Sequence, residues 1–194
     1  MKNARVNIAG IDYSLRGPSV CIFPGEHVEK FTFDACQIYF LNDVKRYAKK
    51  WNHNIFGETF KPWDADEERY ESIADWAMDK LVGCERIALE GYSYGSRGNR
   101  LFQIAENTGV LKYKIFQTGR PLDIIPPTEV KKFATGKGNA NKDQMHVEFV
   151  RETSYKIKTE MSPKSKDITN PVSDIVDSYY ICKLLYSRLC GWEF

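Results

Sequence analysis

The sequence contains no run of apolar residues approaching the roughly eighteen that a membrane-spanning helix requires. Its opening, MKNARVNIAGID, passes from a short basic start straight into a strand-like segment, without the apolar run and cleavage site of a secretory signal. The expected location is therefore the cytoplasm. Cysteine is sparse and odd in number. Cys21, Cys36, Cys84, Cys182 and Cys190 include no CxxC pair, and no histidine stands near them at zinc-finger spacing. That argues against a disulfide framework and a structural zinc site, and leaves reduced thiols packed as small apolar groups. Internal repeats, low-complexity tracts and long linkers are also missing, so a single domain over 1–194 is expected.

What is present is charge in separated blocks behind a net value of only +2. Residues 131–142 carry four lysines and no acid, and Arg97, Arg100, Lys112, Lys114 and Arg120 form a second basic group interrupted by Glu106 alone. By contrast, 58–75 holds seven acids and two bases. Such separation suits a protein with one face for a polyanion, although solvated surface charge explains it equally well until a motif is found.

Local patterning gives mixed α/β structure. VNIAGID reads as a buried strand, YSLRGPS as a turn, VCIF as a second strand, and the stretch 27–39 as a third, with Phe31, Phe33 and Ile38 in the core. Short turns make these three antiparallel. Residues 41–64 suggest an ordered loop or insertion. Residues 64–81 suit an amphipathic helix, RIALE a short strand, 101–116 a helix, and PLDIIPP a strand closed by prolines. TEVKKFATG predicts a short helix capped by Thr128, and 142–152 a further one. The polar stretch 153–169 reads as a mobile loop. A last helix runs over 171–190, with Asn170 as its cap and Pro171 at its first position.

Four acids stand out from this pattern. Asp12 ends the first strand, where a turn-forming role is the plain alternative. Glu90 closes RIAL before a glycine, and glutamate is a poor turn former. Asp174 and Asp177, three apart, share a face of the last helix. Acids near a helix start also suit its dipole. This helix, however, is apolar nearly all round, so the acid-bearing face is turned inward for part of its length. Two inward carboxylates repel each other and are costly to desolvate unless a cation compensates. Mg²⁺, which takes oxygen ligands and commonly only one or two carboxylates, provides that compensation.

The residues that carry these acids resemble the RuvC-type Holliday-junction resolvases of the RNase H-like superfamily, with phage-type members included. GIDYS resembles the family's first motif, ALEGYSYG its strand ending in a metal-binding glutamate, PTEVKKFATGKGNANKDQM its basic loop and helix, and NPVSDIVDSYYIC its terminal helix with a DxxD pair. The resemblance implies an RNase H-like α/β fold, with a mixed five-stranded sheet flanked by helices. It further implies a metal-dependent endonuclease that nicks four-way or related branched DNA as a homodimer. Asp12, Glu90, Asp174 and Asp177 would hold two Mg²⁺ ions, with Mn²⁺ as a substitute and no nucleotide cofactor. Lys142 would join them in catalysis. Lys131, Lys132, Lys137, Lys142, Arg97, Arg100, Tyr92 and Tyr94 would contact DNA. Two departures bear on junction choice. Gly91 follows Glu90 where bacterial members usually have glutamine, and Tyr92 and Tyr94 replace a nearby wedging phenylalanine.

Three rival readings are available. Sugar kinases and chaperone ATPases also open on GID and a serine, but they need two lobes and a second phosphate loop, for which this chain has neither length nor repeat. A branched-DNA binder without activity would not need all four carboxylates. An RNase H-like nuclease acting on flaps or RNA–DNA hybrid keeps the same residues. For the dimer, the sequence offers Leu101, Ile104, Ala105, Leu111 and Ile115, although packing on the sheet is the preferred explanation for most of them.

Overall fold

The computed structural model describes residues 6–25, 30–92 and 99–191, with the side chains of residues 99 and 100 excepted. Within these residues seven strands form one sheet: β1 (Asn7–Asp12), β2 (Ser19–Pro24), β3 (Gln37–Asn42), β4 (Lys50–Asn52), β5 (Ile55–Thr59), β6 (Arg86–Glu90) and β7 (Leu122–Ile125). Their spatial order is β4-β5-β3-β2-β1-β6-β7. As expected, β1, β2 and β3 form an antiparallel meander. On the other side β6 pairs parallel with β1, and β7 parallel with β6.

Among the described residues six helices accompany the sheet: α1 (Asp66–Lys80), α2 (Asn99–Gln117), α3 (Pro127–Thr135), α4 (Lys142–Thr153), α5 (Ile157–Met161) and α6 (Val172–Leu189). The central strands are buried on both faces, which is why they read as continuous apolar runs. Ile8 of β1 and Ala88 of β6 face a core shared with α6, α3 and α4. Their neighbours Ala9, Ile11, Ile87 and Leu89 face a second core with α1 and α2. The period of two is the strand's own alternation, and it divides the molecule into three layers.

Helix α6 is the most buried element, with only Asp177, Lys183, Arg188 and Leu189 not fully covered. Its seat on the sheet depends on Gly10. A Cβ built there would lie 2.1 Å from the backbone nitrogen of Cys182, so only glycine lets the helix backbone come so close to β1. A hydroxyl pair, Ser19 with Ser178 at 2.8 Å, ties the helix to β2.

Several expectations are corrected. The sheet has seven strands rather than five, because the segment between β3 and α1 is not a loop. It folds as a 3-10 turn (Lys45–Tyr47) and the β4–β5 hairpin, with β5 adding parallel to the edge of β3. The third strand starts only at Gln37, although Phe31 and Phe33 are buried as expected. The stretch 153–169 contains α5 and anchors itself through buried Ile157, Met161 and Ile168. Thr128 does not cap α3, which begins at Pro127 behind an extended Pro126. Pro171, not Asn170, holds the cap position of α6. On α2, Leu111 and Ile115 are fully buried in the core and drop out of any interface.

Candidate active site

Ile11 of β1 pairs with Leu89 of β6 in parallel register, so the next residues, Asp12 and Glu90, leave the sheet side by side at its carboxyl edge. The crevice outside the carboxyl ends of parallel strands is where open α/β sheets place their sites. The close seat of α6 on β1 brings Asp174 and Asp177, on its first turns, over the same point. The turn after β1 closes in from the other side. A Cβ on Gly17 would meet Asp174 Oδ2 at 2.3 Å and Asn170 Nδ2 at 2.7 Å, so a side chain there would displace the carboxylate.

Lys142 reaches the group from α4. Asn141 accepts from the Gln144 amide at 2.9 Å, and Gln144 Oε1 accepts from the Asn141 amide at 3.0 Å. This reciprocal cap fixes the start of α4, a device worth about 1 kcal/mol. From the first helical position Lys142 Nζ donates to Ser173 Oγ at 3.2 Å, and Ser173 Oγ lies 3.1 Å from both Asp174 Oδ1 and Asn170 Oδ1. The ammonium is thus one hydroxyl removed from the carboxylate.

The electrostatics of the four acids point one way. Burial, then the charges of Glu90, Asp174 and Asp177, hold the Asp12 carboxyl well above the usual range. Burial and then Asp177 push Asp174 well up, against the pull of Lys142. Glu90 is pushed up to about 8 by burial and then Asp177, with Lys131 opposing. Asp177 rises to about 6 through burial, moderated by Lys142 and Lys131. Like charges drawn into a poorly solvated pocket resist ionisation, and positive charge is what relieves them.

That charge is only partly supplied by protein. Asp174 is nearly covered, and its Oδ2 has no hydrogen-bond partner among the described residues. A buried carboxylate oxygen left so carries a substantial desolvation cost, and a divalent cation is the usual means of offsetting it. The all-oxygen donor set suits Mg²⁺ or Mn²⁺ rather than zinc. Among the described residues, no three of these side chains are already drawn in to ligating distance. The chemistry of the donors, four carboxylates and no sulfur or imidazole, still fits a hard divalent cation.

The other predicted residues separate into groups. Lys131 is half-buried on α3, close enough to Glu90 and Asp177 to lower both, whereas Lys132 and Lys137 are exposed. Tyr92 is exposed and lines a small cavity of about 180 Å³ with Asp12 and Glu90, so it flanks the acids rather than packing in the core. Tyr94 and Arg97 lie outside the described residues, as does the side chain of Arg100. A larger cleft of about 890 Å³ runs from Asp12, Asp174, Asp177 and Lys142 past Arg16, Arg46 and Arg69. Sequence reading missed these three arginines. Each sits in a different segment, and no local spacing links them.

No protein-family model matches the sequence, and no curated protein is detectably similar to it. Solved structures do match in shape. The Thermus thermophilus RuvC structure superposes with a TM-score of 0.60 at 16% identity, over 96% of this chain and 97% of that one. The chain has the RuvC fold. T. thermophilus RuvC in complex with a Holliday junction substrate gives the same score and identity, over 95% and 96% of the two chains. The yeast mitochondrial Holliday junction resolvase follows at 0.53 and 15% identity, over 94% of this chain and 78% of that one. In this version of the RuvC fold, β4 and β5 extend the sheet past the five expected strands, on the β3 side and away from β7.

Proposed function

We propose that this chain is a divalent-metal-dependent endonuclease that nicks four-way junctions or closely related branched DNA in the cytoplasm. The observation that carries the proposal is the convergence of Asp12, Glu90, Asp174 and Asp177, from β1, β6 and α6, on one cleft edge, with all four carboxyls raised chiefly by burial and those of Asp12, Glu90 and Asp174 raised further by neighbouring carboxylates. Similarity in fold to a protein solved with a Holliday junction supports the substrate class.

The four carboxylates would hold two Mg²⁺ ions, for which Mn²⁺ can substitute. When bound, such ions lower the pKa of a water and stabilise the leaving oxygen of a phosphodiester. The protein's own groups do the rest. Lys142, held by Ser173, stands where a cation offsets charge on the non-bridging phosphoryl oxygens. Ser173 Oγ accepts from Lys142, and its single proton has Asn170 Oδ1 and Asp174 Oδ1 as alternative acceptors, so the hydroxyl can turn toward the carboxylate or away from it. Tyr92 offers an exposed ring beside the acids for an unstacked base at the branch point. Lys131, Lys132, Lys137 and the basic stretch at Arg97 and Arg100 bind flanking phosphates, which position DNA without reading sequence.

A four-way junction offers two equivalent strands, which a two-fold dimer matches with one site each. Helix α2 carries a stripe of exposed aromatics, Phe102 at 65%, Tyr113 at 62% and Phe116 at 76% exposure, that supports pairing there. Phe102 and Tyr113, eleven residues apart, are three helical turns apart on one line.

A panel of labelled substrates tests the substrate class: four-way junction, flap, linear duplex and RNA–DNA hybrid, each with Mg²⁺. Paired nicks near the branch point of the junction, with linear duplex spared, are expected. Preferential cutting of the hybrid would refute the assignment. Sedimentation at micromolar protein should give twice the chain mass, and a monomer would remove the dimer.

A further inference from the structure

The insert between β3 and α1 places an arginine in the active-site cleft. Val44, Arg46 and Tyr47 line the same cleft of about 890 Å³ as Asp12, Asp174, Asp177 and Lys142, together with Asp43. Arg16, from the turn between β1 and β2, and Arg69, from α1, line it as well.

The insert holds this arginine firmly. Tyr47 is buried, its hydroxyl is 3.0 Å from Ser162 Oγ, and its carbonyl accepts from Trp51 Nε1 at 3.0 Å. Gly57 of β5 donates to the Lys49 carbonyl at 2.9 Å, so the hairpin clamps the 3-10 turn from behind. Arg46 lies over the Tyr47 ring at 4.7 Å and donates to its hydroxyl at 2.6 Å. Two elements that the sequence pattern did not reveal, the hairpin and the α5 segment with Ser162, therefore combine to fix one guanidinium.

Among the described residues no carboxylate forms an ion pair with any of the three arginines. Arg69 donates to the Leu15 carbonyl at 2.6 Å and stacks on Trp63 at 4.5 Å. Among the described residues neither it nor Arg16 nor Arg46 forms an ion pair, whereas Lys80, Arg86, Lys114, Arg151, Lys183 and Arg188 all do. Unpaired guanidiniums along a cleft that also holds the catalytic acids suit an extended polyanion that passes both.

We infer that Arg16 and Arg46 form a second phosphate-binding wall, which grips the DNA backbone away from the scissile phosphate and makes the β4–β5 insert a strand-positioning element. The inference rests on the nuclease reading for the nature of the strand. Because Arg46 is already ordered by Tyr47, it loses little freedom when it meets a phosphate. Both arginines are positioning residues, since they reach the backbone and not the reacting atoms.

The test measures binding of a labelled four-way junction in Ca²⁺ across a salt series, together with single-turnover cleavage in Mg²⁺ at saturating protein. Arg46→Ala and Arg16→Ala should each weaken binding roughly tenfold and flatten the log–log salt slope by about 0.9 per lost contact. Cleavage at saturation should stay within about twofold of wild type, and Arg46→Lys should recover part of the affinity. A junction carrying one neutral methylphosphonate at the contacted phosphate should bind wild type more weakly, yet cost Arg46→Ala nothing further. Arg151→Ala, on α4 outside the cleft, is the control and should leave affinity and slope unchanged. Thermal midpoints equal to wild type exclude misfolding as the cause, and Arg46→Gln serves if the alanine variant unfolds. Affinity and slope unchanged in both arginine variants, with wild type binding and cutting normally, would overturn the wall alone. Wild type that binds no DNA would sink the nuclease reading and the wall with it.

Discussion

Replacing Glu90 with glutamine should stabilise the metal-free protein at alkaline pH. The carboxyl is pushed from 4.5 up to about 8, chiefly by burial and then by Asp177. Because the folded value lies above the unfolded one, the folded state retains a proton that the unfolded chain releases. The stabilisation is complete below about pH 4.5 and is lost as pH rises through about 8. At about 1.4 kcal/mol per pKa unit, the full shift corresponds to roughly 5 kcal/mol. Residual solvent contact and coupling to Asp177 reduce this to an expected 2–3 kcal/mol, on the order of 5–10 °C in Tm for a chain of this size. The assay is thermal unfolding in EDTA from pH 5 to 9, read as the difference between Glu90→Gln and wild type so that other titrating groups cancel. The midpoints should nearly coincide at pH 5, separate as pH rises to about 8, and hold that difference at pH 9. Millimolar Mg²⁺ should then raise wild type and leave the variant nearly unmoved, since only wild type keeps the full ligand set. Equal midpoints at every pH would mean that the four carboxylates do not interact as described.

Two further substitutions examine individual roles. Lys142→Ala should reduce single-turnover cleavage about 100-fold with junction affinity changed by less than about tenfold, as expected for a group that acts on developing charge; a pure loss of affinity would make it an ordinary phosphate contact. Tyr92→Ala should weaken junction binding by about 1–3 kcal/mol while Tyr92→Phe does not, as measured by anisotropy. A fall in Tm in place of the loss of affinity would identify the ring as structural.

Much of this architecture was legible because its signals are local. NIAGID and RIALE are apolar runs of strand length that end in acids, and α6 shows its burial in an almost unbroken set of apolar positions. The basic helix start at Lys142 carries its capping pair in the adjacent Asn141 and Gln144. What escaped detection depends on distant partners. β4 is only three residues long, and β5 earns its place by pairing with β3 across the 3-10 turn. α5 holds to the core through Ile157 and Met161 in a stretch otherwise polar enough to read as loop. The association of Asp12 with Glu90 came from the family resemblance and not from spacing, since they are 78 positions apart and meet because β1 and β6 are parallel neighbours. Arg16, Arg46 and Arg69 share a cleft only after the insert has folded, so spacing in the sequence could not associate them.

The central claim is that Asp12, Glu90, Asp174 and Asp177 form a metal centre that cuts branched DNA. Cleavage of a labelled four-way junction by wild type and Asp174→Asn, titrated with Mg²⁺ and in parallel with Mn²⁺, tests it most directly. Nicks that appear only with the divalent ion in wild type, and that fall at least about 1,000-fold in the variant while junction binding persists, are the predicted result. Junction binding with no cleavage by wild type under either metal, or cleavage that survives Asp174→Asn, would contradict it.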